Sequence, residues 1–342
     1  MNFPELFISR PGIVLPSERL TNEDVLGIIR SRFRGRPEDW PIIEMGIRTV
    51  FEKCGTAVRY LDPSPSTRVA GFAARAGRVC LDRAGIEATA LDQVVYGGIA
   101  REYFEPATAM ELAVALGTSE RVHGFDITSA CVGVLEALYA VAGHFALDPG
   151  KQHALIATGE LSRNYLSYDI QTPADLLHRA AGLTIGNAAA AFIVSRTPHA
   201  GGSARLLSVR SRAIPKHWAL CTVPIDGAFT SFSIELFRLH VHVAPEVRAL
   251  LDEVGWSVKD VRHFILHQPS DTMVRKVLAD LGADPSQGPA IHGVYANTVS
   301  AAIPVTFDHL IAEGALSPGD KIVFATAAAG FSVVCAAAVW CG

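Results

Sequence analysis

The feature that most constrains the fold is an internal repeat. Leu81-Asp82-Arg83-Ala84-Gly85 is echoed by Leu251-Asp252-Glu253-Val254-Gly255, about 170 residues later. Leu147-Asp148-Pro149-Gly150 is echoed at nearly the same spacing by Leu316-Ser317-Pro318-Gly319. Each member of the first pair ends a helical pattern and precedes a strand-like run, Val94–Tyr96 and His263–Leu266. Each member of the second leads into another such run, ALIATG and KIVFATA. Further helices end at Leu116-Gly117 and Leu281-Gly282. Each half therefore reads helix, strand, helix, strand-turn-helix, strand. That alternation calls for α/β layers with largely parallel strands. The halves, residues 1–200 and 201–342, are expected to pack as a pseudo-dimer joined at the loop-like His199–Ser203.

The 342 residues, 49% of them hydrophobic, supply a core for two such halves. A net charge of −4 gives no global basic signal for nucleic acid. Six cysteines, at 54, 80, 131, 221, 335 and 341, form no CxxC pair, so neither a zinc knuckle nor a dithiol motif is visible. A well-cored chain has little need of disulfides. The opening MNFPELF has no basic segment and no long apolar run. The expectation is a reduced, cytoplasmic protein that binds no metal, nucleic acid or membrane. Phe324–Cys341 carries no charge over 18 residues, enough for a transmembrane helix. Gly330 and Phe331 divide it, however, and the two pieces suit strands buried on both faces.

Three residues carry candidate chemistry. Cys131, in DITSACVG, sits where a strand-turn becomes the apolar helix Val132–Phe145. Free amides and the positive end of a helix dipole there are expected to lower a thiol's pKa and favour thiolate. A buried structural cysteine is the competing reading. His267, in FILHQPSD, follows directly on a strand and can serve as base or donor; it can equally be a satisfied surface histidine. Asn297, in YANTVSAAIP, offers an amide donor in the turn that mirrors Cys131 across the repeat, though capping alone would explain it. Sites in open α/β sheets form at the carboxyl ends of strands, and the repeat places all three there. His240 and His242 could share one strand face, but without a third ligand they read as structural.

Taken together, the three suit acyl transfer. A thiolate attacks a thioester and holds the acyl group. A histidine and an amide can donate to the enolate of a decarboxylating thioester, and backbone N–H groups can form an oxyanion hole. A hydrolase would instead use His267 as a base beside the thiol.

In these motifs, and in the opening GIVLPSERLTNEDV and closing ALSPGDKIVFATAAAGFS, nearly the whole chain resembles the thiolase superfamily. Within it the chain is similar to condensing enzymes of the ketoacyl-acyl-carrier-protein synthase III type. The resemblance implies a duplicated, five-layered αβαβα fold, a homodimer, and a narrow tunnel for a phosphopantetheine arm. The arm would belong to the substrates, CoA or acyl carrier protein, with no further cofactor. It implies Cys131 as acyl acceptor, His267 and Asn297 as the groups serving decarboxylation, and Ala329 as the second oxyanion N–H beside that of Cys131.

The departures from the family pattern bear on substrate. A bulky aromatic that many members carry before the closing loop is here Ala327, leaving more room beside Cys131. Lys53 stands where an arginine often meets CoA phosphates, and Thr49 where a tryptophan often stacks on adenine. Arg59 closes the equivalent of the family's T-G-I-x-x-R segment. Lys53, Arg59, Ala327 and Ser270 are the substrate-binding candidates, and Lys53, Arg59, Arg179, Arg275 and Lys276 the candidates for a basic mouth facing a carrier protein. A partner's loop near Tyr103–Thr108 would help shape the tunnel. These changes point to specialised, polyketide or fatty-acid-derived, metabolism. Three readings stay open: a decarboxylative condensing enzyme, a tailoring acyltransferase with an alcohol or amine acceptor and His267 as base, and a silent subunit of a heterodimer.

Overall fold

The computed structural model describes residues 4–225 and 227–342. Among them one sheet runs through ten strands: β1 (Leu6–Ser9), β2 (Gly12–Val14), β3 (Gln93–Gly97), β4 (His123–Ile127), β5 (His153–Glu160), β6 (Ala188–Ser195), β7 (Ser203–Ala213), β8 (Val261–Leu266), β9 (Lys321–Ala328) and β10 (Ser332–Trp340). Their order is β8-β9-β10-β7-β1-β6-β5-β3-β4, with β2 beside β6. β3 is parallel to β4 and β5, and β8 is parallel to β9. The joins β5–β6, β6–β1, β1–β7, β7–β10 and β10–β9 are antiparallel. Parallel pairing thus holds for the strands that end at the repeat's turns and not for the sheet as a whole. A short turn such as Ala329–Phe331 can join β9 to β10 only in antiparallel fashion.

Side-chain alternation along the strands builds the layers. The helices that build the layers and flank the site include α1 (Trp40–Cys54), α2 (Val69–Ala84), α3 (Thr108–Leu116), α4 (Gly133–Leu147), α5 (Val243–Val254), α6 (Asp271–Leu281) and α7 (Ala302–Ala312). On β5, Ala154 and Ile156 join one core with Leu138 of α4 and Phe307 of α7, while Leu155 and Ala157 join another with Phe72 of α2 and Leu112 of α3. On β9, Ile322 and Phe324 face that same central core, while Val323 and Ala325 pack with Val247 of α5 and Val274 of α6. The order is helices, strands, helices, strands, helices: a five-layered αβαβα fold with α4 and α7 in the middle.

The uncharged run near the C-terminus is β9 and β10, apolar because both faces are covered. One helical stretch, Ala130–Leu147, is long and apolar enough to cross a membrane by length and composition; half of it is buried within the protein. Its apolarity follows from its place in the central layer. The repeat's glycine landmarks also have a cause. Gly85 and Gly255 end α2 and α5 with φ of 67° and 68°, the left-handed conformation that closes a helix.

In one element the repeat misleads. The second-half counterpart of β4 is not a strand but a short helix, His292–Tyr295, followed by a single bridge between Ile185 and Asn297. His292 is fully buried and held by Thr56 and by the carbonyl of Gln268, which curls the chain there. His240 and His242 lie in a 3-10 turn, Leu239–His242, rather than on a strand, and His240 Nδ1 pairs with Asp280 at 2.5 Å.

Candidate active site

Cys131 lies in a 3-10 turn, Ala130–Val132, between β4 and α4. Ala130 takes φ 47°, a left-handed conformation costing a non-glycine residue about 1–3 kcal/mol. The turn is pressed against the end of β3, where backbone meets backbone. A Cβ on Gly133 would sit 3.0 Å from the Gly97 carbonyl carbon, and one on Gly97 would sit 2.6 Å from the Gly133 oxygen. Two glycines are needed for this approach, and it fixes where the thiol stands.

The expected lowering of the Cys131 pKa is reversed. Dense surroundings push the thiol above its ordinary range, and Cys221 and Glu160 add to this; only its own backbone N–H opposes. The turn sits at the end of the central layer, where desolvation outweighs the helix N-terminus. The resting side chain is therefore a thiol rather than a thiolate.

His267 extends the β8 ladder, its backbone N–H donating to the Ala325 carbonyl at 3.0 Å. Its Nδ1 is enclosed without a partner among the described residues. Burial first, then the neighbouring His292, brings its pKa down to about 3. The ring is thus neutral near pH 7 and can either donate an N–H or accept a proton. The chain beyond it is pinned. The Gln268 amide donates to the Leu266 and Pro289 carbonyls at 3.1 and 3.0 Å, and its oxygen accepts from Ile291 N–H. The neutral His292 ring donates through Nδ1 to the Gln268 carbonyl, so Nε2 accepts from Thr56.

Asn297 is held on three sides. Its N–H donates to the Thr184 carbonyl and its carbonyl accepts from Gly186 N–H, each at 2.9 Å. Its Oδ1 accepts from Val299 N–H at 2.9 Å. That leaves Nδ2, a pure donor, with no protein acceptor among the described residues. The flanking Ala296 and Val299 take φ of 59° and 56°, so strained backbone brackets Asn297 as it precedes Cys131.

The fold brings these pieces together. The Cys131 turn packs on β9 and on the turn Val299–Ala301 that follows Asn297. β9 is the parallel neighbour of β8, which delivers His267, and Ala329 follows β9 directly. Ala327 and Ala329 are half-buried.

One substrate-binding expectation is corrected. Arg59 is fully buried, with Nη2 donating to Asn22 Oδ1 and the Leu183 carbonyl, and its guanidinium lies 4.8 Å from the Phe51 ring. It is an internal strut and presents nothing at a mouth. Ser270 caps α6, its hydroxyl oxygen accepting from Met273 N–H while its O–H keeps a proton to donate. Lys53, at the end of α1, is exposed, and its carbonyl accepts from Thr272 on α6. Arg275 is exposed on the same helix, 3.9 Å from Asp271. Lys276 is engaged by Asp280 at 2.6 Å. No cluster of three or more His, Cys, Asp or Glu side chains able to hold a metal occurs among the described residues.

Sequence reasoning missed Glu160, a fully buried carboxylate at the end of β5 whose charge is felt at Cys131. A lone glutamate closing the apolar run ALIATGE was the available signal.

The family described as 3-oxoacyl-[acyl-carrier-protein (ACP)] synthase III, C terminal, matches residues 251–340. A beta-ketoacyl-[acyl-carrier-protein] synthase III of Lactiplantibacillus plantarum is 24% identical across 93% of this chain and 94% of its own. Along nearly its whole length the chain is thus similar to ketoacyl synthase III enzymes, and its last quarter matches their C-terminal family. An acyl-CoA:acyl-CoA alkyltransferase of Xanthomonas campestris is 25% identical to this synthase III-like chain, over 78% of it and 81% of the relative. The crystal structure of a variant of OleA from the same organism, with bound lauric acid and lauroyl-CoA, superposes with a TM-score of 0.88 at 21% identity, covering 99% and 100% of the two chains. That likeness establishes the shared fold.

The buried histidines of this synthase III-like chain set a pH dependence of stability. His199, nearly inaccessible, has its pKa brought down to about 4 by burial, and His267 to about 3. In the unfolded chain both protonate near 6.5. Below that pH the unfolded state binds more protons, so stability falls as pH falls. Each group contributes up to about 1.4 kcal/mol per pH unit, and the pair about 3. Urea midpoints at pH 7.5 and 5.5 measure this; an equal or higher midpoint at pH 5.5 contradicts it.

Proposed function

We propose that this protein takes an acyl group from a CoA or carrier-protein thioester onto Cys131 and condenses it with a malonyl-type thioester. The observation that carries the reading is the Asn297 side chain. Its oxygen is committed to Val299 N–H, so its NH2 is left as a donor in the turn packed against Cys131. An enolate oxygen needs such a donor, and the neutral His267 supplies a second.

In the first step Cys131 sulfur attacks the donor thioester. The acyl–sulfur bond to the donor breaks, and the thiol proton ends on the departing phosphopantetheine sulfur. In the second step the malonyl C–CO2 bond breaks and its electron pair forms an enolate, held by His267 N–H and Asn297 Nδ2. The enolate carbon attacks the acyl carbonyl, and the resulting oxyanion takes the backbone N–H groups of Cys131 and Ala329. Collapse expels the Cys131 thiolate, which is reprotonated. Lys53, exposed at the end of α1, is the group offered to the phosphates of the arriving thioester.

The small Ala327 and the Nδ1 of His267, without a partner among the described residues, favour a second reading, transfer to an alcohol or amine with His267 as the base. A homodimer fits either reading. β4 is an edge strand with one side unpaired. Phe104, Met110, Val114 and Tyr139, on the loop and helices around it, are large, apolar and exposed, as a self-pairing face would be.

Intact-mass spectrometry after incubation with a panel of acyl-CoA and acyl-carrier thioesters tests the proposal. The expected result is a mass gain at Cys131 that malonyl thioester discharges with release of CO2. A gain discharged only by alcohols or amines replaces condensation with the second reading. No gain from any donor overturns both.

A further inference from the structure

Glu160 stands outside the chemistry just described, yet it is the one fully buried carboxylate whose hydrogen bonds, among the described residues, run to both sides of the site. Its Oε1 accepts from Ile99 N–H at 3.1 Å and from Ser300 Oγ at 2.6 Å, and its Oε2 lies 3.3 Å from the Tyr165 hydroxyl, which donates to it. Ser300 is completely enclosed and has only one proton. With that proton given to Glu160, Thr158 Oγ1, 2.6 Å away, must donate to Ser300. The partners of the carboxylate are all donors, which favours its charged form against the burial that raises its pKa.

The topology of these bonds is informative. Ile99 follows β3, whose Gly97 abuts the Cys131 turn. Thr158 and Glu160 end β5. All of these belong to the first half of the chain. Ser300 belongs to the second, one residue beyond Val299, whose N–H fixes the Asn297 side chain. Packing is tight: a Cβ on Gly98 would sit 2.9 Å from Glu160 Oε1 and 2.8 Å from Thr158 Oγ1. The nucleophile and the amide donor thus reach the site from different halves, and a charge-assisted hydrogen bond of 2.6 Å joins the backbone segments behind them.

We propose that Glu160 is a positioning residue: through Ser300 and Ile99 its carboxylate holds the strained Asn297 turn at a fixed place relative to Cys131. It touches no reacting atom. Its effect is on the step that needs both groups, decarboxylative condensation, and not on acyl loading, which needs Cys131 and its oxyanion donors. In its catalytic consequence the inference rests on the condensing reading; in its structural content it does not.

Two measurements on the full-length protein keep these apart. Hydrogen exchange read by mass spectrometry follows the peptides spanning residues 296–301 and 97–101. In Ser300→Ala and Glu160→Ala both peptides are expected to exchange at least about tenfold faster while α2 and α5 keep wild-type protection. Glu160→Gln, which keeps an acceptor for Ile99 and Ser300, is expected to restore most of the protection. In parallel, CO2 release from malonyl thioester is expected to fall at least about tenfold in Ser300→Ala while loading of Cys131 stays within about threefold, with partial rescue of the same ratio in Glu160→Gln. Ser300→Ala serves if Glu160→Ala does not fold. Unchanged exchange at 296–301 in Ser300→Ala overturns the inference, as does an equal fall of loading and decarboxylation. If the wild-type protein itself releases no CO2, the condensing reading has failed, and the exchange measurement alone decides the role of Glu160.

Discussion

Cys131→Ala abolishes acyl loading while leaving the protein folded: that is the expected result with the largest effect. Cys80 and Cys335 are fully buried, and peptide mapping separates Cys131 from the exposed Cys341. Removing a covalent nucleophile of this kind costs about a thousandfold or more in turnover. The fold is expected to tolerate the change well. The side chain shrinks by one sulfur, a desolvated thiol is removed, and the strained φ of Ala130 is untouched. Intact mass after incubation with acyl donors gives the readout, with circular dichroism as the control for folding. A mass gain equal to that of the wild-type protein would remove Cys131 from the role of acyl acceptor.

Asn297→Ala is expected to separate the two steps. Loading stays within a few-fold, while CO2 release from malonyl thioester drops about 10²–10³-fold, the range found when one donor to a developing oxyanion is deleted. Alanine also releases Val299 N–H from its acceptor, so the loss could arise from a relaxed turn. Asn297→Asp resolves this. Aspartate keeps an oxygen for Val299 N–H but replaces the donating NH2 with an acceptor, so it should be at least as defective as alanine. Decarboxylation at wild-type rate in Asn297→Asp would show that Nδ2 is not the enolate donor, and the alcohol or amine reading would then gain.

Much of the fold was legible in the sequence because its signals are local and repeated. The glycines after α2 and α5 recur because each helix must end in a left-handed residue. The uncharged run over β9 and β10 read as strands because a glycine-containing turn split it. The site was legible to the extent that strand ends are. Cys131 and His267 each follow a strand, whereas Asn297 follows the short helix His292–Tyr295, where the repeat misleads.

The misses have a common cause. Arg59 carries a residue type that suits a phosphate-binding mouth, but its burial is decided by what packs around it. The direction of the Cys131 pKa was misjudged for the same reason. A helix terminus can be read from a pattern, whereas the packing of β9 and the turn after Asn297 on the Cys131 turn, and the charge of Glu160, cannot. His292 and Gln268, which pin the chain beyond His267, gave no pattern to read.

By itself the sequence determined the duplicated α/β order, the turns that end each helix, and the three side chains of candidate chemistry, since periodicity, glycine placement and residue type are properties of short segments. The tertiary structure alone decided where those three meet, which protonation states they hold, and that a buried carboxylate joins the halves behind them. Desolvation and long-range hydrogen bonds depend on groups more than a hundred residues apart, as Glu160 and Ser300 are, and no local pattern encodes that approach.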